Sequence, residues 1–167
     1  MVQRPIIKII NTKFDVAIIV TTYILLFILC VATVVIFYKA PDIIPTHFNI
    51  EGKIDSYGNK ATLFILPLIT LGVTLLLQWL CKYPHLFNYP QHINENNAAT
   101  LYQQGIRLLR WVNVGIIVLM LFLQYEICNS IHATTSQLST GVFIVLLLCT
   151  TLLPIIVAYI MSNKKLN

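Results

Sequence analysis

Residues 16–37 read VAIIVTTYILLFILCVATVVIF, 22 consecutive positions without a charge. The hydrocarbon core of a bilayer is roughly 30 Å thick, and a helix needs about 20 apolar residues to cross it. This stretch meets that length, so it decides the fold class: the chain reads as a membrane protein. The run is longer than the apolar core of a secretory signal, and Lys39-Ala40-Pro41 after it is a poor cleavage site. An uncleaved signal anchor is therefore expected.

Further apolar runs follow. Residues 61–80 give 20 uncharged positions, residues 111–125 give 15, and residues 138–161 give 24. The third is short, but it extends inward through Leu108 and Leu109 if Arg107 and Arg110 snorkel to the interface. The expectation is an all-α bundle of four transmembrane helices in up-down order, forming one membrane domain over 1–167. Its spans fall at about 16–37, 61–80, 108–126 and 138–161, with an outer loop at 39–60 and an inner loop at 82–107. Four spans leave no room for a separate soluble domain. Composition agrees: 57% of the 167 residues are hydrophobic and 10% are charged, against about 25% charged in a soluble domain. Disorder, which needs high charge and low hydrophobicity, is excluded. A water-soluble globule this small could not hide so much apolar surface.

The net charge of +5 does not point to nucleic acid, because the basic residues sit at the ends of apolar runs. They set orientation instead. With a cytoplasmic N-terminus, the inner side holds Arg4, Lys8, Lys13, Lys82, Arg107, Arg110, Lys164 and Lys165, and the outer side only Lys39, Lys53 and Lys60. That bias of eight to three places both termini in the cytoplasm. The expected setting is a multi-pass protein of the cell's inner membrane, with the lipid bilayer as its first partner.

The four cysteines, Cys30, Cys81, Cys128 and Cys149, have no metal spacing and no obvious disulfide pairing. They read as small packing residues. No phosphate loop, serine-hydrolase elbow or zinc-protease motif occurs. No cofactor and no metal are expected.

The outer loop holds the densest polar chemistry. It contains Pro41, Pro45, Gly52, Gly58 and Asn59 as turn formers, and Pro45 pushes Ile44 toward an extended conformation. Gly52 and Gly58 are expected to supply positive φ. Ile43, Ile44, Phe48, Ile50 and Ile54 could fold the loop onto the membrane surface or over the helix ends. His47, Glu51 and Asp55 are spaced by four, so a helix would gather them for a metal. Pro45, Gly52 and Gly58 argue against that helix. The alternatives are a His47–Asp55 tie within the loop or a histidine titrating near neutral pH as a sensor or proton donor.

In the inner loop, Pro84 and Pro90 stop any helix leaving span two, and Asn94 suits a helix N-cap with Glu95 in the favourable first turn. From there one helix can run into span three. His85 and His92 could pair on a helix face, but Pro90 lies between them. Asn113, Gln124 and the threonines of the spans are expected to bond between helices or to their own backbone. Pro67 and Pro154 are expected to kink spans two and four, and Gly72 and Gly115 to permit close helix approach. Neither long uncharged run carries an ionisable group, which counts against a pump.

The loop register Pro45-x-His47-Phe48-x-x-x-Gly52-x-x-Asp55-x-x-Gly58-x-Lys60, with Pro41 and Asp42 upstream, resembles the bacterial membrane family of domain of unknown function 1648. That domain is best known as the N-terminal part of Sdp-type immunity proteins. Tyr89-Pro90, the stretch INENNA at 93–98, Tyr102 and Arg110-Trp111 are also similar to it, so the likeness runs over about residues 15–127. The resemblance implies toxin immunity or membrane signalling: protection against an exported peptide toxin, with its presence relayed to a regulator. The leading expectation is a non-enzymatic membrane protein whose outer loop (Pro45, His47, Phe48, Gly52, Asp55, Gly58, Lys60) binds an extracytoplasmic ligand or peptide toxin. Glu95, Arg107 and Arg110 would form the cytoplasmic readout toward a regulator. A membrane-embedded enzyme or small transporter subunit acting on a lipid or cell-envelope molecule is the alternative.

Overall fold

The computed structural model describes residues 4–132 and 138–163. It contains α1 (Lys13–Lys39), a β-hairpin of β1 (Ile43–Phe48) and β2 (Ile54–Asn59), α2 (Ile65–Leu80), α3 (Ala98–His132) and α4 (Thr140–Asn163). Among the described residues four helices are long and apolar enough to cross a membrane. Their large apolar side chains are widely exposed, with Phe27, Leu68 and Ile155 more than 60% accessible. Such surface is stable only against lipid, which suggests a multi-pass membrane protein.

α3 is the centre of the bundle, because α1, α2 and α4 all pack on it. At about 1.5 Å per residue its 35 residues span about 52 Å, longer than the hydrocarbon core. Its first three turns therefore stand clear of the span that the apolar run marks. The turn before it is built as the sequence implies: Asn94 Oδ1 accepts from the backbone N–H groups of Asn96 and Asn97 at 3.0 and 3.1 Å. Gly105 then lets the loop after α2 cross α3 closely, since a Cβ there would lie 2.8 Å from Tyr89 Oη.

The threonines of the spans and the Asn113 carbonyl oxygen bond as expected, whereas the buried Gln124 amide finds no partner among the described residues. Thr22, Thr33, Thr70 and Thr151 donate to carbonyls four residues back, while Thr74 Oγ1 donates to Asn113 Oδ1 of α3 at 3.1 Å. A Cβ on Gly115 would lie 2.6 Å from Thr150 Cγ2, so this glycine does permit α3 and α4 to approach. Gly72 has nothing within 4 Å. Pro154 lies inside α4, but Pro67 falls in the first turn of α2, where its missing N–H costs nothing.

The all-α expectation needs one correction. The 39–60 loop is a two-stranded antiparallel hairpin, pairing Ile43 with Asn59 and Pro45 with Tyr57. The register slips on either side of His47. Such a bulge absorbs Pro45, which a regular ladder tolerates poorly.

Candidate functional site

Two polar constellations lie at opposite ends of α3. The hairpin forms the first. Ile44 is 1% exposed and packs with Ala40 and Leu63, against Phe37 of α1 and Ile127 and Ile131 of α3. One face of β1 is thus seated on the helix ends. At the tip, Asn49 Oδ1 accepts from the N–H groups of Glu51 and Lys53, both at 2.9 Å, closing the turn. Gly52 has φ +80°, a conformation only glycine adopts without strain. Its carbonyl accepts from Leu138 N–H at 2.8 Å, and a Cβ would lie 2.6 Å from Thr140 Oγ1. The tip is therefore latched to the start of α4.

Gly58 does not have positive φ, contrary to expectation; it faces Thr46, whose Cγ2 would lie 3.0 Å from an added Cβ. His47 Nδ1 donates to Asp55 Oδ1 across the bulge, so the pair ties the loop together. A helix gathering His47, Glu51 and Asp55 is not formed: the hairpin joins His47 to Asp55 and leaves Glu51 at the tip. Glu51 pairs with Lys53 instead, and no cluster fit for a metal occurs among the described residues. Lys60 is braced at the hairpin base by Asp42 at 3.1 Å, by the Ala40 carbonyl, and by the Phe37 ring 5.1 Å below. Pro45 is buried and Phe48 half-buried. Of the seven loop residues singled out in the sequence, His47 and Asp55 present exposed polar groups, and the others build and dock the hairpin.

The second constellation centres on Asp15 at the start of α1. Thr12 caps this helix: its hydroxyl accepts from Asp15 N–H, while the Thr12 N–H donates back to Asp15 Oδ2 at 2.9 Å. The carboxylate is 1% exposed and gathers donors from α3. Arg107 Nε reaches Oδ1 at 2.7 Å, Arg107 Nη2 and Gln103 Nε2 reach Oδ2 at 3.2 and 3.1 Å, and Arg110 Nη1 lies 3.4 Å from Oδ1. Arg110, 6% exposed, also donates to Asn11 Oδ1 at 2.8 Å. The Phe14 ring covers Arg107 at 5.3 Å.

This overturns one expectation. Arg110 does not snorkel; it is buried because a carboxylate 95 positions away in sequence neutralises it. Glu95 is exposed in the turn before α3 and takes no part in the cluster. The buried ionisable groups among the described residues, Asp15, Arg110 and Glu126, lie outside the two long uncharged runs. Sequence reasoning missed Asp15, Thr12, Asn11 and Gln103. A lone acid adjoining an apolar run, on the same predicted side as two arginines one turn apart, was the available signal.

The segment before α1 straps the same end. Arg4 Nη1 donates to the carbonyls of His85 and Phe87 at 3.1 and 2.6 Å, and Tyr102 Oη donates to the Pro5 carbonyl at 3.0 Å. Burial pushes the Tyr89 phenol well above its ordinary pKa, with Tyr102 adding and Arg4 opposing. It therefore remains a donor, bonded to the Pro84 carbonyl. Burial likewise pushes the Cys81 thiol up, and the nearby Arg110 only partly opposes this. A protonated thiol is a poor nucleophile and a poor metal ligand.

Residues 24–71 match the family model described as domain of unknown function DUF1648. The matched segment runs from within α1 through the whole hairpin into α2. It includes every loop position of the resemblance, from Pro41 to Lys60. The similar stretches at Tyr89-Pro90 and Arg110-Trp111 lie beyond it. The match assigns no activity. No curated protein and no solved structure matches the chain.

Proposed function

We propose that this protein is a non-enzymatic membrane sensor or immunity-type protein whose hairpin binds an extracytoplasmic ligand or peptide and whose third helix carries that event across the bilayer. The observation supporting it is the continuity of α3. Ile127 and Ile131 pack on the hairpin, while Arg107 and Arg110 hold Asp15. The 20 residues from Arg107 to Ile127 span about 30 Å, the thickness of the hydrocarbon core. A shift of the docked hairpin is then felt at the ion cluster through one rigid element. The basic bias of the cluster end argues for its cytoplasmic placement, with both termini inside and the hairpin outside.

His47 and Asp55 are the contact residues in this reading, since they are exposed and not needed to dock the hairpin. Asp15, Arg107 and Arg110 form the readout toward a cytoplasmic regulator. The peptide ligand and the regulator follow the resemblance to Sdp-type immunity proteins. The test is deletion in the host followed by challenge with membrane-active peptides, complemented by wild type, His47→Ala, Asp55→Ala or the double variant. Loss of protection by the double variant at normal protein level supports the reading. Full protection by it removes the hairpin as the binding site.

A further inference from the structure

α3 and α4 enclose a half-open cleft of about 630 Å³ that adjoins the ion cluster at Arg107 and is lined otherwise by residues outside it. A cleft of that size lies within the range that holds whole small ligands. Its lining is graded in polarity. Gln104 and Arg107 stand at one end, Trp111 follows, and the rest is apolar down to Val118 but for Thr150, whose hydroxyl is bonded to its own helix, with Cys149 and Leu153 on the α4 wall. From Arg107 to Val118 is 11 residues, or about 16 Å along α3.

Arg107 is the informative group. Its Nε and Nη2 are used by Asp15 and Thr12, whereas Nη1 makes no bond among the described residues. The side chain is 33% exposed and also lines the cleft, so it has a donor to spare at that end. Arg110 shares the same carboxylate, which leaves this end with excess positive charge. Trp111, 51% exposed one turn deeper, has the amphipathic ring that favours the headgroup boundary.

We propose that the cleft is a binding site for one anionic phospholipid, its phosphate on Arg107 Nη1 and Gln104 and an acyl chain lying between α3 and α4. A cation and an amide at headgroup depth above a long apolar trough match such a lipid in both charge and length. An apolar protein segment would leave the cation without a partner. Lipid occupancy would also brace α4, which is peripheral and packs mainly on α3.

The test is native mass spectrometry of the full chain from detergent containing equal amounts of phosphatidylglycerol and phosphatidylcholine. Wild type is expected to retain one phosphatidylglycerol in preference to phosphatidylcholine by about tenfold, because both offer the phosphate but only phosphatidylcholine brings a choline cation against the excess positive charge of this end. Cys149→Trp fills the trough from α4 without touching the ion cluster and should abolish retention; Leu153→Trp is the second variant if the first fails to fold. Arg107→Lys, which keeps a charge for Asp15 but has no second edge to offer the phosphate, should lower retention of both lipids. Wild type retaining no lipid, equal retention of both lipids, or undiminished retention by a folded trough-filled variant would each overturn the proposal. Inorganic phosphate at millimolar concentration should not displace the lipid, and displacement would assign the site to a free anion instead.

Discussion

Replacing Asp15 with Asn is the most incisive perturbation of the bundle. The carboxylate is 1% exposed and accepts from Arg107 Nε at 2.7 Å, Thr12 Oγ1 at 2.6 Å and Gln103 Nε2 at 3.1 Å. The amide keeps the shape and one acceptor oxygen, so part of the helix cap survives. What is lost is the charge facing Arg110, which is itself 6% exposed. Removing one partner of a buried ion pair leaves the other uncompensated, at a cost of about 3–5 kcal/mol. Arg107 can move partly into solvent, which places the expected loss near the lower figure, about 3 kcal/mol. Reversible unfolding in mixed detergent micelles reads this directly. Asp42→Asn, the matched control, removes a carboxylate that is 87% exposed and should cost about 0.5 kcal/mol or less. In a double-mutant cycle, Asp15→Asn and Arg107→Gln should couple by about 1–3 kcal/mol. A loss under about 0.5 kcal/mol for Asp15→Asn, or simple additivity with Arg107→Gln, would refute the claim that this pair locks α1 to α3.

Other consequences are as specific. Gly52→Ala meets both a φ of +80° and contact at 2.6 Å with Thr140 Oγ1, so it should cost about 1–3 kcal/mol and open the hairpin tip to proteases. Gly72→Ala, with open space around it, should instead be neutral or stabilising by up to about 1 kcal/mol in the same unfolding assay. His47→Ala breaks an exposed pair and should change stability by about 1 kcal/mol or less, separating any lost response from lost folding. At Cys81, a raised thiol pKa means less thiolate at any given pH than in free cysteine. Iodoacetamide should therefore modify it more slowly than free cysteine at pH 8, with the rate still climbing above the ordinary thiol pKa. A rate at pH 8 equal to that of free cysteine would contradict its burial.

The helices were legible because apolar length is a local property. Residues 16–37 lie inside α1, and 138–161 differs from α4 by two residues at each end. The 108–126 run lies inside α3, which begins just after the Asn94 turn from which the sequence had one helix run into the span. The hairpin was hidden for a physical reason. Pro45 sits within a strand, and the bulge at His47 breaks the alternation that identifies one. The ion cluster was hidden for another: Asp15 and Arg107 are 92 positions apart, and nothing local to either shows the pairing. The glycines divided by cause. Gly52 was expected to have positive φ and does. Gly58 is explained by the nearness of Thr46, which only the pairing of β1 with β2 creates.

The central claim is that the hairpin and the Asp15 cluster lie on opposite sides of a bilayer, joined by α3. Single cysteines in a background lacking the four native ones test it, using a membrane-impermeant maleimide on intact and opened cells. Tyr57, 63% exposed on β2, and Lys8, exposed before α1, are the reporting positions. The account predicts that Tyr57→Cys is labelled in intact cells and Lys8→Cys only after the membrane is opened. Labelling of both positions in intact cells, or of neither until the cells are opened, would contradict it.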